Sequence, residues 1–145
     1  MPAPIFEDIR INALLLLSAG GSRVVSKYYS PMKHFSVENQ HQLEQQLYFS
    51  TKQSEPSVIE LDNYIALSYP FNAGDGIVAY VIISLTENES IANMVLNCFV
   101  TTLTTLFEGQ ITLDHLLTSM DLLMLIFDEL LDDGYILELS SSDLV

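Results

Sequence analysis

The chain carries no lysine or arginine after Lys52. All five basic residues (Arg10, Arg23, Lys27, Lys33 and Lys52) fall in the first 52 positions, beside four of the nineteen acids. The other fifteen acids are unopposed, and the net charge is −14. Such a surface repels phosphate backbones and anionic lipid, which argues against direct binding to nucleic acid or to a bare membrane. It suits a basic protein partner. It would serve equally as a solubilising surface with no specific meaning.

Cysteine is nearly absent as well. Cys98 stands alone, so no internal disulfide can form, and a reducing compartment is compatible with that. His34, His41 and His115 match no metal-ligand spacing and have no second cysteine to join them. No Gly-x-Ser-x-Gly elbow occurs. Gly20-Gly21-Ser22 could suggest a phosphate cradle, but no helix and no Gly-Lys-Ser pattern follows it. Asp132 and Asp133 lack a histidine or further carboxylates to work with. These absences predict no catalytic site, no metal and no cofactor. The apolar run Leu122 to Phe127 falls far short of the roughly 20 residues a membrane span needs. Ile11 to Ala19 is preceded by Glu7 and Asp8, the wrong charge for a signal peptide.

What is present is apolar residues, 49% of 145. That predicts one domain over 1–145 with loose ends at about 1–7 and 140–145. Ile9 to Ala19 reads as a strand apolar on both faces, as in a sheet covered on both sides. Gly20-Gly21-Ser22 turns the chain, and Arg23 to Tyr29 returns beside it. Ser36 caps a helix through Phe49 with Val37, Leu43 and Leu47 on its inner face. Val58–Leu61 and Tyr64–Tyr69 form a hairpin about Asp62-Asn63, and Ile77–Leu85, rich in β-branched residues, reads as a central strand.

Two helices follow. Thr86 and Glu89 have capping-box spacing, and Ile91, Met94, Val95, Cys98, Phe99, Thr102, Leu103 and Leu106 line the buried side. Gly109 stops that helix. Thr112 caps the next, which reads as continuous to Leu131. Leu116, Leu117, Met120, Leu123, Met124, Phe127, Leu130 and Leu131 make one broad apolar face; Leu113, Leu122, Leu125 and Ile126 fall outside it. Asp128, Glu129, Asp132 and Asp133 crowd its C-terminal end, where the helix dipole disfavours negative charge. Surplus apolarity and misplaced acids together nominate Leu122, Leu125, Ile126, Phe127, Asp128, Asp132 and Asp133 as a partner-binding surface. Gly134 would cap the helix, and Tyr135 to Leu139 would leave as an extended segment.

Specific blocks then bear a resemblance. Gly21-Ser22-Arg23-Val24-Val25-Ser26-Lys27-Tyr28-Tyr29 resembles the second-strand signature of coatomer (COPI) zeta subunits: glycine, one residue, basic, two apolar, then Lys-Tyr-Tyr. Glu87-Asn88-Glu89 with Val95-Leu96-Asn97-Cys98 is similar to the start of that family's long helix. Phe127 through Glu138, with Asp-Glu-Leu-Leu-Asp-Asp-Gly-Tyr-Ile-Leu-Glu, is similar to its C-terminal stretch. Sigma subunits of clathrin adaptors share the first block and are less similar in the other two. Zeta subunits usually continue past the position matching Val145, and Ala19-Gly20-Gly21 replaces their more polar turn. The resemblance implies an α+β, longin-like fold: a five-stranded antiparallel sheet covered by helices on both faces, in the order ββαβββαα. It implies a non-enzymatic coat subunit that docks into the solenoid trunk of the gamma subunit. It further implies that an Arf GTPase brings the heptameric coat to Golgi membranes for retrograde transport. The alternatives are a sigma-type adaptor subunit, or a longin or roadblock-type scaffold that regulates a GTPase and dimerises through its sheet edge.

Overall fold

Strands at the middle of this sheet are apolar on every residue, and that dictates the architecture. In a computed structural model, which describes residues 10–29, 32–52, 54–71, 75–132 and 135–136, β1 (Ala13–Ser18), β2 (Ser22–Tyr28), β3 (Ser57–Glu60), β4 (Tyr64–Pro70) and β5 (Val78–Ser84) form one antiparallel sheet. Its order is β2-β1-β5-β4-β3. Alternate residues feed two separate cores, as the strand period requires. Leu14 and Leu16 of β1, with Ala79, Val81 and Ile83 of β5, face one side. Ala13, Leu15 and Leu17, with Val78, Tyr80 and Ile82, face the other. Burying both faces leaves no solvated side, so helices must cover each.

The second face is covered by α1 (Val37–Phe49). Ser36 caps it as expected, its side chain accepting from the Asn39 N–H at 3.1 Å. Leu47 is fully buried and Leu43 packs at the margin, but Val37 points to solvent. On the first face lie α2 (Glu89–Leu106), α3 (Leu113–Thr118) and α4 (Met120–Leu130). The N-cap of α2 is Asn88 and not Thr86. Thr86 is drawn back to Ser84 Oγ at 3.1 Å, the Glu87 N–H also turns to the Ser84 carbonyl, and the helix starts two residues later with Asn88 Oδ1 accepting from Ser90 N–H. The buried side of α2 takes in Ala92, Leu96 and Val100 along with Val95, Cys98, Phe99, Thr102 and Leu103; Met94 is exposed.

The long helix expected from Thr112 to Leu131 is broken. Thr112 caps it, as read, but Ser119 sits at φ −110°, ψ 36° and divides α3 from α4. A short hairpin follows, β6 (Leu131–Asp132) against β7 (Tyr135–Ile136). The chain therefore folds back at 135–136, where simple departure was expected. The expected Gly134 cap, residues 137–139 and the loose ends at 1–7 and 140–145 lie outside the described residues.

The stop of α2 uses two residues. The Gly109 N–H donates to the Thr104 carbonyl at 2.8 Å and the Glu108 N–H to Thr105 at 3.3 Å, the paired pattern of a Schellman end. Glu108 occupies the left-handed position, φ 53°, where glycine is favoured. Replacing Glu108 by glycine removes the Cβ clash and gives back part of that gain in unfolded-chain entropy. The expected result is a rise of about 0.5–1 kcal/mol in unfolding free energy, read from the urea midpoint at unchanged m-value.

Candidate partner surface

The second strand holds both helical layers to the sheet. Between β1 and β2 the register shifts after Leu16, so Val24 is an extra residue and Arg23 faces Leu17. The bulge sends Val24 and Val25 to the α2 side and turns Arg23 to the α1 side. There the Arg23 guanidinium meets Glu44 of α1, with Nε 3.1 Å from Oε1 and an Nη 2.6 Å from Oε2. Tyr28 donates to the same carboxylate at 2.7 Å, and Gln40 accepts from Arg23 at 3.1 Å. Glu44 is 1% exposed, a buried charge satisfied on both oxygens. Lys27 points the opposite way and lies 3.9 Å from Asp128 of α4. That pair is exposed and adds little.

Glu44 was not among the residues the sequence singled out. Its place in a Gln- and Glu-rich helix hides it, and only an inward-facing arginine on a strand could have signalled it. Burial and the neighbouring carboxylate push the Tyr28 hydroxyl far above its usual range. The fold thus favours protonated Tyr28, and its contribution is complete below the unfolded tyrosine value near 10 and is lost as pH climbs above it. Stability should fall between about pH 10 and 11, and Tyr28→Phe should flatten that fall in chemical denaturation. Tyr80, raised by its own burial, keeps a residual slope. Arg23→Ala leaves the Glu44 carboxylate buried and unpaired, at an expected cost of about 3 kcal/mol.

The nominated partner surface is only partly assembled. Ile126 and Phe127 are 2% and 0% exposed and face the core, Phe127 meeting Phe99 edge-on at 5.0 Å. They cannot meet a partner while the domain is folded. The break at Ser119 rotates α4 relative to α3, so Leu123, Ile126, Phe127 and Leu130 form its inner face. Leu122 is half-buried, and Leu125 is 54% exposed. Asp128 is exposed, beside Glu129. Asp132 lies in β6, and Asp133 falls outside the described residues. Leu117 of α3, assigned to the buried face by its spacing, is 50% exposed. The outer surface of α3 and α4 therefore presents Leu117 and Leu125 among Asp114, Asp121, Asp128 and Glu129.

Other features hold less. Cys98 is packed in the core. A groove of about 250 Å³ between the end of α2 and α3 is lined by Leu106, Phe107, Glu108, Gln110 and His115, with no lysine or arginine. Among the described residues no group of His, Cys, Asp and Glu could hold a metal ion, and no helix is long and apolar enough to cross a membrane.

Comparison with known proteins agrees with this architecture. Residues 10–145 match the family described as clathrin adaptor complex small chain. Coatomer subunit zeta-1 of Homo sapiens is 30% identical over 128 residues, spanning 88% of this chain and 70% of that protein. Coatomer subunit zeta of Saccharomyces cerevisiae is 26% identical over 141 residues, 91% of this chain and 73% of the relative. A structure described as a homology model of the full-length AP-3 complex in a stretched open conformation superposes with a TM-score of 0.67 at 15% identity, over 93% of this chain and 89% of that one. The five-stranded antiparallel sheet with helices on both faces is thus the longin-like fold of adaptor small subunits. With the Arg23-to-Tyr29 block holding its two layers, the chain belongs to the clathrin adaptor complex small-chain family, on the coatomer zeta side of it, and is a small subunit of a vesicle coat.

Proposed function

We propose that this chain is a non-enzymatic small subunit of the COPI coat that pairs with the trunk of the gamma subunit. The coat so formed works in retrograde Golgi-to-ER and intra-Golgi transport. An Arf GTPase brings it to the Golgi membrane, which the small subunit reaches only through its complex. The observation that carries the pairing is the outer surface of α3 and α4. Leu117 and Leu125 stand half exposed there, on helices that also expose Asp114, Asp121, Asp128 and Glu129. A surface that mixes exposed leucines with acids fits a groove with an apolar floor and lysine or arginine at its edge. Likeness to coatomer zeta subunits along most of the chain supports gamma as the owner of that groove. A sigma-type subunit that reads acidic peptides is less well served by the groove beside α3, which carries Glu108 and no lysine or arginine.

Co-expression with the gamma trunk and, separately, an alpha-adaptin trunk tests this. Stoichiometric recovery with gamma alone is expected. Leu125→Asp should stay folded, because its side chain is already half in water, yet lose at least about 2 kcal/mol of pairing. Phe127→Asp should instead unfold the chain, so it reports nothing about the interface. Recovery with the adaptin trunk would move the protein to the sigma class. A stable homodimer that ignores both trunks would overturn the coat pairing altogether.

A further inference from the structure

The two edges of the sheet are not equivalent. On one side β2 carries the bulge at Val24, and α1, α3 and α4 all pack against it. Bulges and covering helices are the usual means of closing an edge. The other edge is β3, and among the described residues it has neither device. Its register with β4 runs unbroken from Ser57–Ser68 to Glu60–Ile65, and among the described residues no strand lies beyond it. The same register places Val58 and Glu60 on the α2 side, in rows with Leu67 and Ile65. Val58 is 51% exposed there, and Glu60 is exposed.

Charge around this edge is mostly negative. Glu55, Glu60 and Asp62 flank or lie on the strand. The nearby cation, Lys52, is 3.7 Å from Glu55. Two copies meeting at this edge would bring their acids together, which disfavours self-pairing. A segment with lysine or arginine would be attracted instead, so the edge selects against itself and for a basic partner.

We infer that the β3 edge is a second docking surface, at which a basic extended segment of a partner protein adds to the sheet as a strand. Main-chain hydrogen bonds to β3 supply the attachment, and the side chains supply the choice. An apolar residue of the segment lies against Val58. Two positions along, on the same face, a lysine or arginine lies against Glu60. The inference does not depend on the pairing proposed for α4. That helix lies over β2, where Lys27 approaches Asp128, at the opposite end of the sheet.

The test uses the full chain and a fluorescent peptide, Thr-Val-Thr-Lys-Thr-Val-Thr-Arg-Thr. Its controls are a twin with glutamate in place of the two cations and a third version N-methylated on alternate amides. Fluorescence anisotropy at low salt should show the basic peptide binding about fivefold more tightly than its acidic twin. Glu60→Lys should reverse that preference, a result that a misfolded protein cannot give. N-methylation should abolish binding, because it removes the main-chain donors. The inference is overturned if the basic peptide does not bind, if the N-methylated version binds equally, or if Glu60→Lys leaves the preference unchanged. It is overturned as well if the chain alone forms a dimer that Val58→Lys dissolves, since the occupant would then be a second copy.

Discussion

Two-sided burial of β1 and β5 is the constraint on which the rest of the structure depends. Every residue of β1 is buried, and β5 is buried from Val78 to Ile83. Strands of this kind cannot form an outer face, so the pair must lie inside the sheet with a helical layer on each side. The order β2-β1-β5-β4-β3 follows from that demand, because it places the two least polar strands side by side in the middle. It also decides what the helices are for. α1 needs only a narrow apolar stripe, while α2 to α4 share the larger core and can carry apolar residues on more than one side.

A sheet covered on both faces has to hold two helical layers that never touch each other. β2 does this through the period of a strand. Arg23 and Tyr28 reach α1 on one side, and Val24 and Val25 pack into the core under α2 and α4 on the other. The Val24 bulge sets the phase, since without the extra residue Arg23 would face α2. The block that resembles the zeta signature is therefore chiefly a structural clamp. The buried Glu44 carboxylate fixes where α1 sits along the sheet, because Arg23 engages both of its oxygens and Tyr28 donates to Oε2 as well. A similar role falls to Asp75 on the other side. Its carboxylate accepts from the Leu113 N–H at 2.8 Å, while its carbonyl takes the Ala19 N–H, so the β4–β5 loop ties the start of α3 to the end of β1.

Strand period and turn chemistry made most of this architecture legible. The consecutive leucines of Leu14 to Leu17 announced a two-sided sheet, Asp62-Asn63 a hairpin, and Ser36 and Thr112 the helix caps they provide. Where the reading failed, a local competitor had been ignored. Thr86 lost its capping role to a turn closed on Ser84. The break at Ser119 left no mark in the apolar periodicity, because Leu117 and Met120 fit one continuous face until the backbone turns between them. That single break moved Leu117 outward and Ile126 inward, and it is why a surface nominated for surplus apolarity included Ile126; Phe127 sits on the inner face where its spacing had placed it. The small β6–β7 hairpin did leave a signal. Asp133-Gly134 between Leu131-Asp132 and Tyr135-Ile136 is a strong two-residue turn pattern, obscured by reading glycine as a helix cap.

Charge asymmetry takes its meaning from this layout. The described basic side chains with recorded partners are spent within the chain: Arg23 on Glu44, Lys27 near Asp128, Lys52 near Glu55. Among the acid and apolar surface the chain offers outward, two places lie at opposite ends of the sheet. One is helical, with exposed leucines and aspartates on α3 and α4; the other is the β3 edge, with Val58 and Glu60 on one face. Both would be poor contacts for a second copy of the same acidic chain, whose like charges would oppose close approach. Both favour partners that bring their own cations. A small subunit built this way need not be held in check by a separate repulsive device. The lack of lysine and arginine beyond Lys52 opposes close approach of a second copy and, under the pairing proposed above, would favour a basic partner by the same electrostatics.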